Sequence, residues 1–324
     1  MNHSAAPILY IGAILKDTVC LVDRLPLAGE GIVVNKRTER VGGCAYNMAT
    51  ISQYMGAPYE LFVPLGEGSC ADFLSTELAK ANMAGVKIDG ATFDNGDCLC
   101  LITPDGERTM ITTPGIERHF KSSWLTALDG RNFAFTVANG YEIMGSGGPS
   151  IIDFAKRQNA TFVFGPGPLT CLMPDEMVDS INEMHPIWHL NEDEVMVLTH
   201  ESTIPDAVAA LYSKSQNVVI VTAGPDGTYY TTDGTVHHMK TTPIEPVDTI
   251  GAGDSHLGAV LSARTLGYGW EESIAIAQQV SSCICLTEGA ICPVDVFPQQ
   301  FLHMPFCEGT VADCSLSADG SICE

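Results

Sequence analysis

The chain has 324 residues with 45% hydrophobic side chains, enough for a sizeable core in one large α/β domain or two ordinary ones. Its 16 Lys and Arg against 39 Asp and Glu give a formal charge of −23, which argues against nucleic acid or an anionic membrane as a partner. A polyphosphate bound to so acidic a protein must rely on backbone N–H groups and a divalent cation rather than on many basic side chains.

Residues 8–12, Ile-Leu-Tyr-Ile-Gly, are an apolar run ended by glycine, as expected of a strand buried on both faces. The apolar start over residues 7–15 is too short to span a bilayer. No basic region precedes it, and it runs into Lys16 and Asp17 without a cleavage site, so a cytoplasmic protein is expected. Gly42 and Gly43 let backbone approach a ligand closely, and the helix predicted after them turns Ala45, Met48, Ala49, Ile51 and Met55 to the core. A strand over 59–64 and an amphipathic helix over 72–84 continue a βαβ rhythm, and 97–103 with 109–113 read as a hairpin around a Pro-Asp-Gly-Glu turn.

A buried run over 133–138 leads to Gly145-Ser146-Gly147-Gly148 and a helical pattern over 151–157. The G-x-G-x-x-G spacing of a dinucleotide site is missing, so this is a plain loop. A strand over 187–190 delivers Asn191-Glu192-Asp193-Glu194 to its carboxyl end. Such groups either face the ligand crevice of an open sheet, where carboxylates organise hydrated Mg²⁺, or simply start a helix with acids. Residues 218–222 form the next strand, 229–232 and 236–240 a hairpin, and 270–286 a late helix. The 12 cysteines are scattered without a C-x-x-C pair and are expected to be reduced. His185 and His189 have metal-pair spacing, but Pro186 between them disfavours the helix that would align them. From Cys307 the composition turns to Ser, Gly, Asp and Cys, giving an expected mobile tail over 307–324 behind a domain over 1–306.

The chemistry concentrates in Asp248-Thr249-Ile250-Gly251-Ala252-Gly253-Asp254, which opens an apolar helical pattern. Glycines 251 and 253 allow successive N–H groups to converge, and the helix adds its positive dipole end, so the stretch suits an anion. Asp254, in the first turn, then stands where a carboxylate can take a proton from an attacking hydroxyl. The plainer reading is a glycine-rich turn with Asp254 as an ordinary helix-terminal acid.

This stretch resembles the D-T-x-G-A-G-D signature of the ribokinase, or PfkB, family of sugar and nucleoside kinases. Val41-Gly42-Gly43-Cys44-Ala45-Tyr46-Asn47-Met48-Ala49 is similar to that family's G-G-x-x-x-N-x-A stretch, and both stand in the family's order. The resemblance, over about residues 8–295, implies a three-layer α/β/α sandwich with a mostly parallel central sheet and a small β lid from segments about 18–41 and 97–113. It implies ATP-dependent phosphorylation of a hydroxymethyl group on a sugar or nucleoside, with Asp254 as general base and Gly251, Ala252 and Gly253 as the anion hole. Asp17, Gly42, Gly43 and Asn47 would hold the acceptor, and Asn191, Thr222, Gly224, Gly227 and Gln279 the nucleotide. Glu194 would act on Mg²⁺ through water, and the backbone around Asp248 and Ile250 would bind K⁺, as it does in many members. A homodimer through the lid belongs to the same picture. Departures are Gly165, where the family often has Asp, and Thr287-Glu288-Gly289-Ala290, which resembles the closing T-x-x-G-A element shortened by a residue. Leu15 stands where ribose-specific relatives carry a polar side chain, so plain ribose is expected to be a poor acceptor. A non-catalytic sensor of the same fold is the alternative.

Overall fold

The computed structural model describes residues 5–307. The chain begins with β1 (Ile8–Ile11), enters β2 (Leu15–Leu21) and β3 (Lys36–Gly42), and returns through α1 (Cys44–Met55) to β4 (Tyr59–Phe62). The short β5 (Pro64–Leu65) and β6 (Val86–Lys87) pair around α2 (Ser69–Lys80), and β7 (Asp97–Ile102) and β8 (Arg108–Thr113) follow. The second half adds α3 (Ser122–Leu125), β9 (Phe135–Asn139), α4 (Gly140–Ile143), α5 (Gly148–Arg157), β10 (Thr161–Gly165) and α6 (Asp175–Asn182). It continues with β11 (Ile187–Asn191), α7 (Glu192–Thr199), α8 (Ile204–Ser215) and β12 (Val219–Thr222). It closes with β13 (Thr228–Thr231), β14 (Val236–Met239), α9 (Ala252–Thr265) and α10 (Trp270–Cys285).

The central sheet runs β14-β13-β12-β11-β10-β9-β1-β4, parallel from β4 to β12 and finished by the antiparallel β13–β14 hairpin. Along β1, Ile8 and Tyr10 enter one core with α1, α9 and α10, while Leu9 and Ile11 enter the other with α5, α6 and α8. That alternation is the period of a strand covered on both faces, and it makes the three layers the sequence implied. The polar Tyr10 hydroxyl is tolerated in the first core because Ser52 bonds it at 2.8 Å, and Ser52 in turn bonds Ser262 at 2.8 Å.

A second sheet, β3-β2-β7-β8, forms the lid. Its centre is the parallel β2–β7 pair, flanked by antiparallel partners, so the hairpin at 97–113 extends the lid. Because β2 starts at Leu15, Asp17 lies on the lid itself, opposite Arg40 on β3 and Cys98 on β7.

The cysteine expectation needs one correction. Cys20, Cys44, Cys70, Cys98, Cys100, Cys171, Cys283, Cys285 and Cys292 are free, but Cys307 is disulfide-bonded. Its backbone is pinned where α9 ends, with Cys307 N donating to Leu266 O at 2.8 Å, and scattered spacing carries no signal of such a pairing. The remaining tail, 308–324, lies outside the described residues.

Candidate active site

Gly251 precedes α9 with φ 74°, and a Cβ there would fall 2.5 Å from Ala290 O, so only glycine lets the 287–290 loop press against this turn. Its carbonyl accepts from Ser255 N at 2.8 Å and Ala252 N donates to Thr249 O at 3.3 Å, which leaves Gly253 N and Asp254 N without a backbone partner among the described residues at the start of α9. Asp254 stands one residue after the exposed Gly253, half-buried in the first turn. Its Oδ2 accepts from Asn47 Nδ2 at 2.8 Å, and the Cys44 thiol also bonds it. Burial lifts Asp254 above the ordinary carboxylate range, and these two bonds pull it partly back.

Asn47 comes from α1, whose start is set by Gly43 at φ 113°, where a Cβ would lie 2.4 Å from Ala13 O. That close approach brings the N-terminus of α1 onto the β1–β2 link. Asn47 is 4% exposed, and its Oδ1 has no partner among the described residues. Asp17 packs on the backbone of Gly42, where a Cβ would lie 2.2 Å from its Oδ2. Burial pushes Asp17 up to about 6 against the lowering influence of Arg40.

Three cavities meet this geometry. One of about 340 Å³ is lined by Thr222, Gly224, Gly227, Ala252, Gly253 and Gln278. Gln279, expected here, is exposed, because one residue along α10 turns the side chain by about 100°. Gln278 takes the wall instead and donates to Met239 O at 2.9 Å. A second cavity of about 240 Å³ is lined by Asn139, Asn191, Glu194, Gly253 and Asp254. Asn191 and Glu194 also form a capping box: Asn191 Oδ1 accepts from Glu194 N at 2.8 Å and Glu194 Oε2 accepts from Asn191 N at 3.0 Å. The acidic stretch is therefore a helix start, and its Glu194 carboxylate also lines this cavity. The third cavity, about 210 Å³, lies between lid and body and is lined by Asp17, Arg40, Arg108, Asp248, Ile250 and Gly289. Leu15 lies on β2 opposite Gly42 and is not among the residues lining these cavities.

Asp248 is 8% exposed. Its Oδ1 accepts from Ile250 N at 2.7 Å and meets Arg108 Nη2 at 2.9 Å, and its Oδ2 accepts from Gly289 N at 2.8 Å. A monovalent cation needs converging oxygens, and this carboxylate already faces three N–H donors, one of them charged. The side chain of Asp248 does not fit such an ion.

Two groups escaped the sequence reading. Glu142 on α4 is 2% exposed, and its Oε2 has no partner among the described residues. Burial, joined by the nearby Glu117 and Asp254 charges, pushes it up to about 8, so it is mostly protonated at neutral pH. Its one signal in the sequence is its place just beyond the β9 run, before the glycines at 145–148. His189 and His256 form a buried pair, Nε2 to Nδ1 at 3.0 Å, with Thr228 Oγ1 3.3 Å from His256 Nε2. Burial drives His189 down to about 4 and His256 well below its ordinary value, so both are neutral.

A parallel sheet roofed by a four-stranded lid, with a carboxylate in the first turn of a glycine-led helix, defines an α/β small-molecule kinase. The family model described as pfkB family carbohydrate kinase matches residues 6–296. The chain belongs to that family. It is 28% identical over 290 residues to the uncharacterized sugar kinase YegV of Escherichia coli, covering 88% of this chain and 90% of that one. Among solved structures, ribokinase from Thermotoga maritima superposes with a TM-score of 0.78 at 20% identity, over 91% of this chain and 97% of the other. Ribokinase from Cryptococcus neoformans, solved in complex with ADP, gives 0.72 at 18% identity over 91% and 97%.

Proposed function

We propose that this sugar kinase moves the γ-phosphoryl group of ATP to a hydroxymethyl group of a sugar or nucleoside, with Asp254 as general base. The observation that carries this is the Asn47–Asp254 bond beside the α9 N-terminus, which supports reading Asp254 as the base, Asn47 as an acceptor-binding amide and the helix start as an anion site. The acceptor hydroxyl gives its proton to Asp254 as its oxygen bonds to phosphorus, and the bond from phosphorus to the β–γ bridging oxygen breaks to leave ADP. The N–H groups at Gly251, Ala252 and Gly253 oppose the charge on the transferring phosphoryl oxygens. Asp17 and the free Asn47 Oδ1 take acceptor hydroxyls, supported by their burial at the lid junction.

The 340 Å³ cavity bordered by Thr222, Gly224, Gly227 and Gln278 suits the nucleotide and opens at Gly253 toward Asp254. Among the described residues no three His, Cys, Asp or Glu side chains converge on a metal position. That fits Mg²⁺, which binds through one or two carboxylates plus substrate phosphates, and Glu194 and Asp254 border the place where it would neutralise phosphate charge. The exposed Leu21, Met110 and Ile111 on the lid strands support pairing of two copies through the lid. A coupled ADP-release screen over sugars and nucleosides tests the proposal and separates a kinase from a non-catalytic sensor. ADP release with no acceptor above background would end it.

A further inference from the structure

A carboxylate taken out of water needs positive charge close to it, and breaking such a pair leaves an uncompensated buried charge. Asp248 gets that charge from Arg108, the first residue of β8, which pairs with Ile102 on β7 and so belongs to the lid. The Arg108 side chain is 22% exposed, and its Nε is buried without a partner among the described residues, so the guanidinium is committed to this place by packing as well as by charge. Asp248 in turn fastens two pieces of backbone. Through Ile250 N it holds the turn that leads to Gly251, and through Gly289 N it holds the loop whose Ala290 packs against Gly251. These are the walls of the proposed anion hole.

We infer that Arg108 is a positioning residue that takes the place of a bound monovalent cation: its guanidinium fixes the Asp248 loop and with it the α9 amides, and turnover does not depend on K⁺. The charge arrives from the lid, so the anion hole is braced only when the acceptor cavity is roofed. The inference rests on the kinase reading above.

The test compares about 100 mM KCl with tetramethylammonium chloride at equal ionic strength, which leaves screening unchanged. Wild type should turn over at the same rate in both salts, within about twofold, and melt at the same temperature. Arg108→Met in tetramethylammonium should lose about tenfold or more in kcat with KM for ATP changed less, as expected of a group that orders the transition-state site. KCl should restore part of that rate and raise the melting temperature of Arg108→Met alone. Arg108→Lys, which keeps a charge but not the fork, guards against a variant that fails to fold and should fall between the two. Activation of wild type by KCl of about tenfold, or wild-type kcat in Arg108→Met, overturns the inference. If no acceptor supports ADP release, the kinase reading fails. The melting arm still decides the inference, because a rise in wild-type melting temperature with KCl, or none with Arg108→Met, contradicts it.

Discussion

Asn47 Nδ2 lies 2.8 Å from Asp254 Oδ2 and joins the N-terminal turns of α1 and α9, two helices whose sequence positions are 207 residues apart. The two halves of the family signature thus meet in one hydrogen bond. Asp254→Asn should keep the fold and nucleotide affinity while lowering kcat by about 10²–10⁴, the usual worth of a positioned base. Steady-state kinetics with calorimetric ADP binding checks it. A variant as fast as wild type would remove Asp254 from its role.

The same bond sets a pH dependence. Asp254 is already raised by burial, and the Asn47 amide favours its charged form. Asn47→Ala should therefore move the acid limb of kcat/KM to higher pH. An unmoved limb would show that another group titrates there.

Glu142 carries a stability prediction of opposite sign to that of an ordinary carboxylate. Its ordinary value of 4.5 rises to about 8 in the fold, so between these pH values the folded state keeps a proton that the unfolded chain has released. Its contribution is complete below the unfolded value and is lost as pH rises toward 8. His189, near 4, adds no slope above pH 6.5. From about pH 6.5 to 9 the wild type should lose roughly 2 kcal/mol, or about 3 °C in melting temperature for a domain of this size, and Glu142→Gln should flatten that slope. Parallel melting curves for the two proteins would place Glu142 in a wetter site.

For Glu194 the two readings of its stretch are separable. Glu194→Gln keeps an acceptor for the capping box, whereas Glu194→Ala loses it and should cost about 0.5–2 kcal/mol of stability. Both should raise the Mg²⁺ concentration needed for half-maximal rate. A raised requirement in the alanine variant alone would assign Glu194 to the helix cap.

Leu15 is expected from the sequence to stand against the acceptor, although it lines none of the three cavities; if it meets the sugar, ribose should be discriminated against by about 5–150-fold relative to the best acceptor, since leucine cannot partner a buried hydroxyl. Comparing kcat/KM across ribose, fructose, a ketodeoxy sugar acid and several nucleosides measures this. Ribose coming out best would show that Leu15 does not read the acceptor.

Much of the scaffold was legible because its signals are local. The β1 run, the apolar side of α1 and the glycines at 42–43 and 251–253 declare themselves by period or by backbone demands that few residues meet. What escaped depends on phase or on distant partners. Gln278 and Gln279 differ only by a rotation about α10 that composition does not reveal. Arg108 stands between the two halves of the hairpin with no motif of its own, and only the closure of the lid over the body gives it Asp248. Glu142 is an ordinary acid until the fold buries it, and the bond at Cys307 has no spacing signature.

The lid also dictates an order of assembly. Its central strand β2 lies at the start of the chain, yet its parallel partner β7 begins at Asp97, after α1, β4 and α2. Pairing across that separation must wait for the intervening chain and carries the entropy of a long loop closure. Until residues 97–113 are in place, Asp17 sits on a two-stranded ribbon, a unit of marginal stability in water. During synthesis the sheet strands β1 and β4 can therefore pair while the acceptor side is still unmade. Slow folding should show first as lost sugar affinity rather than as a lost core.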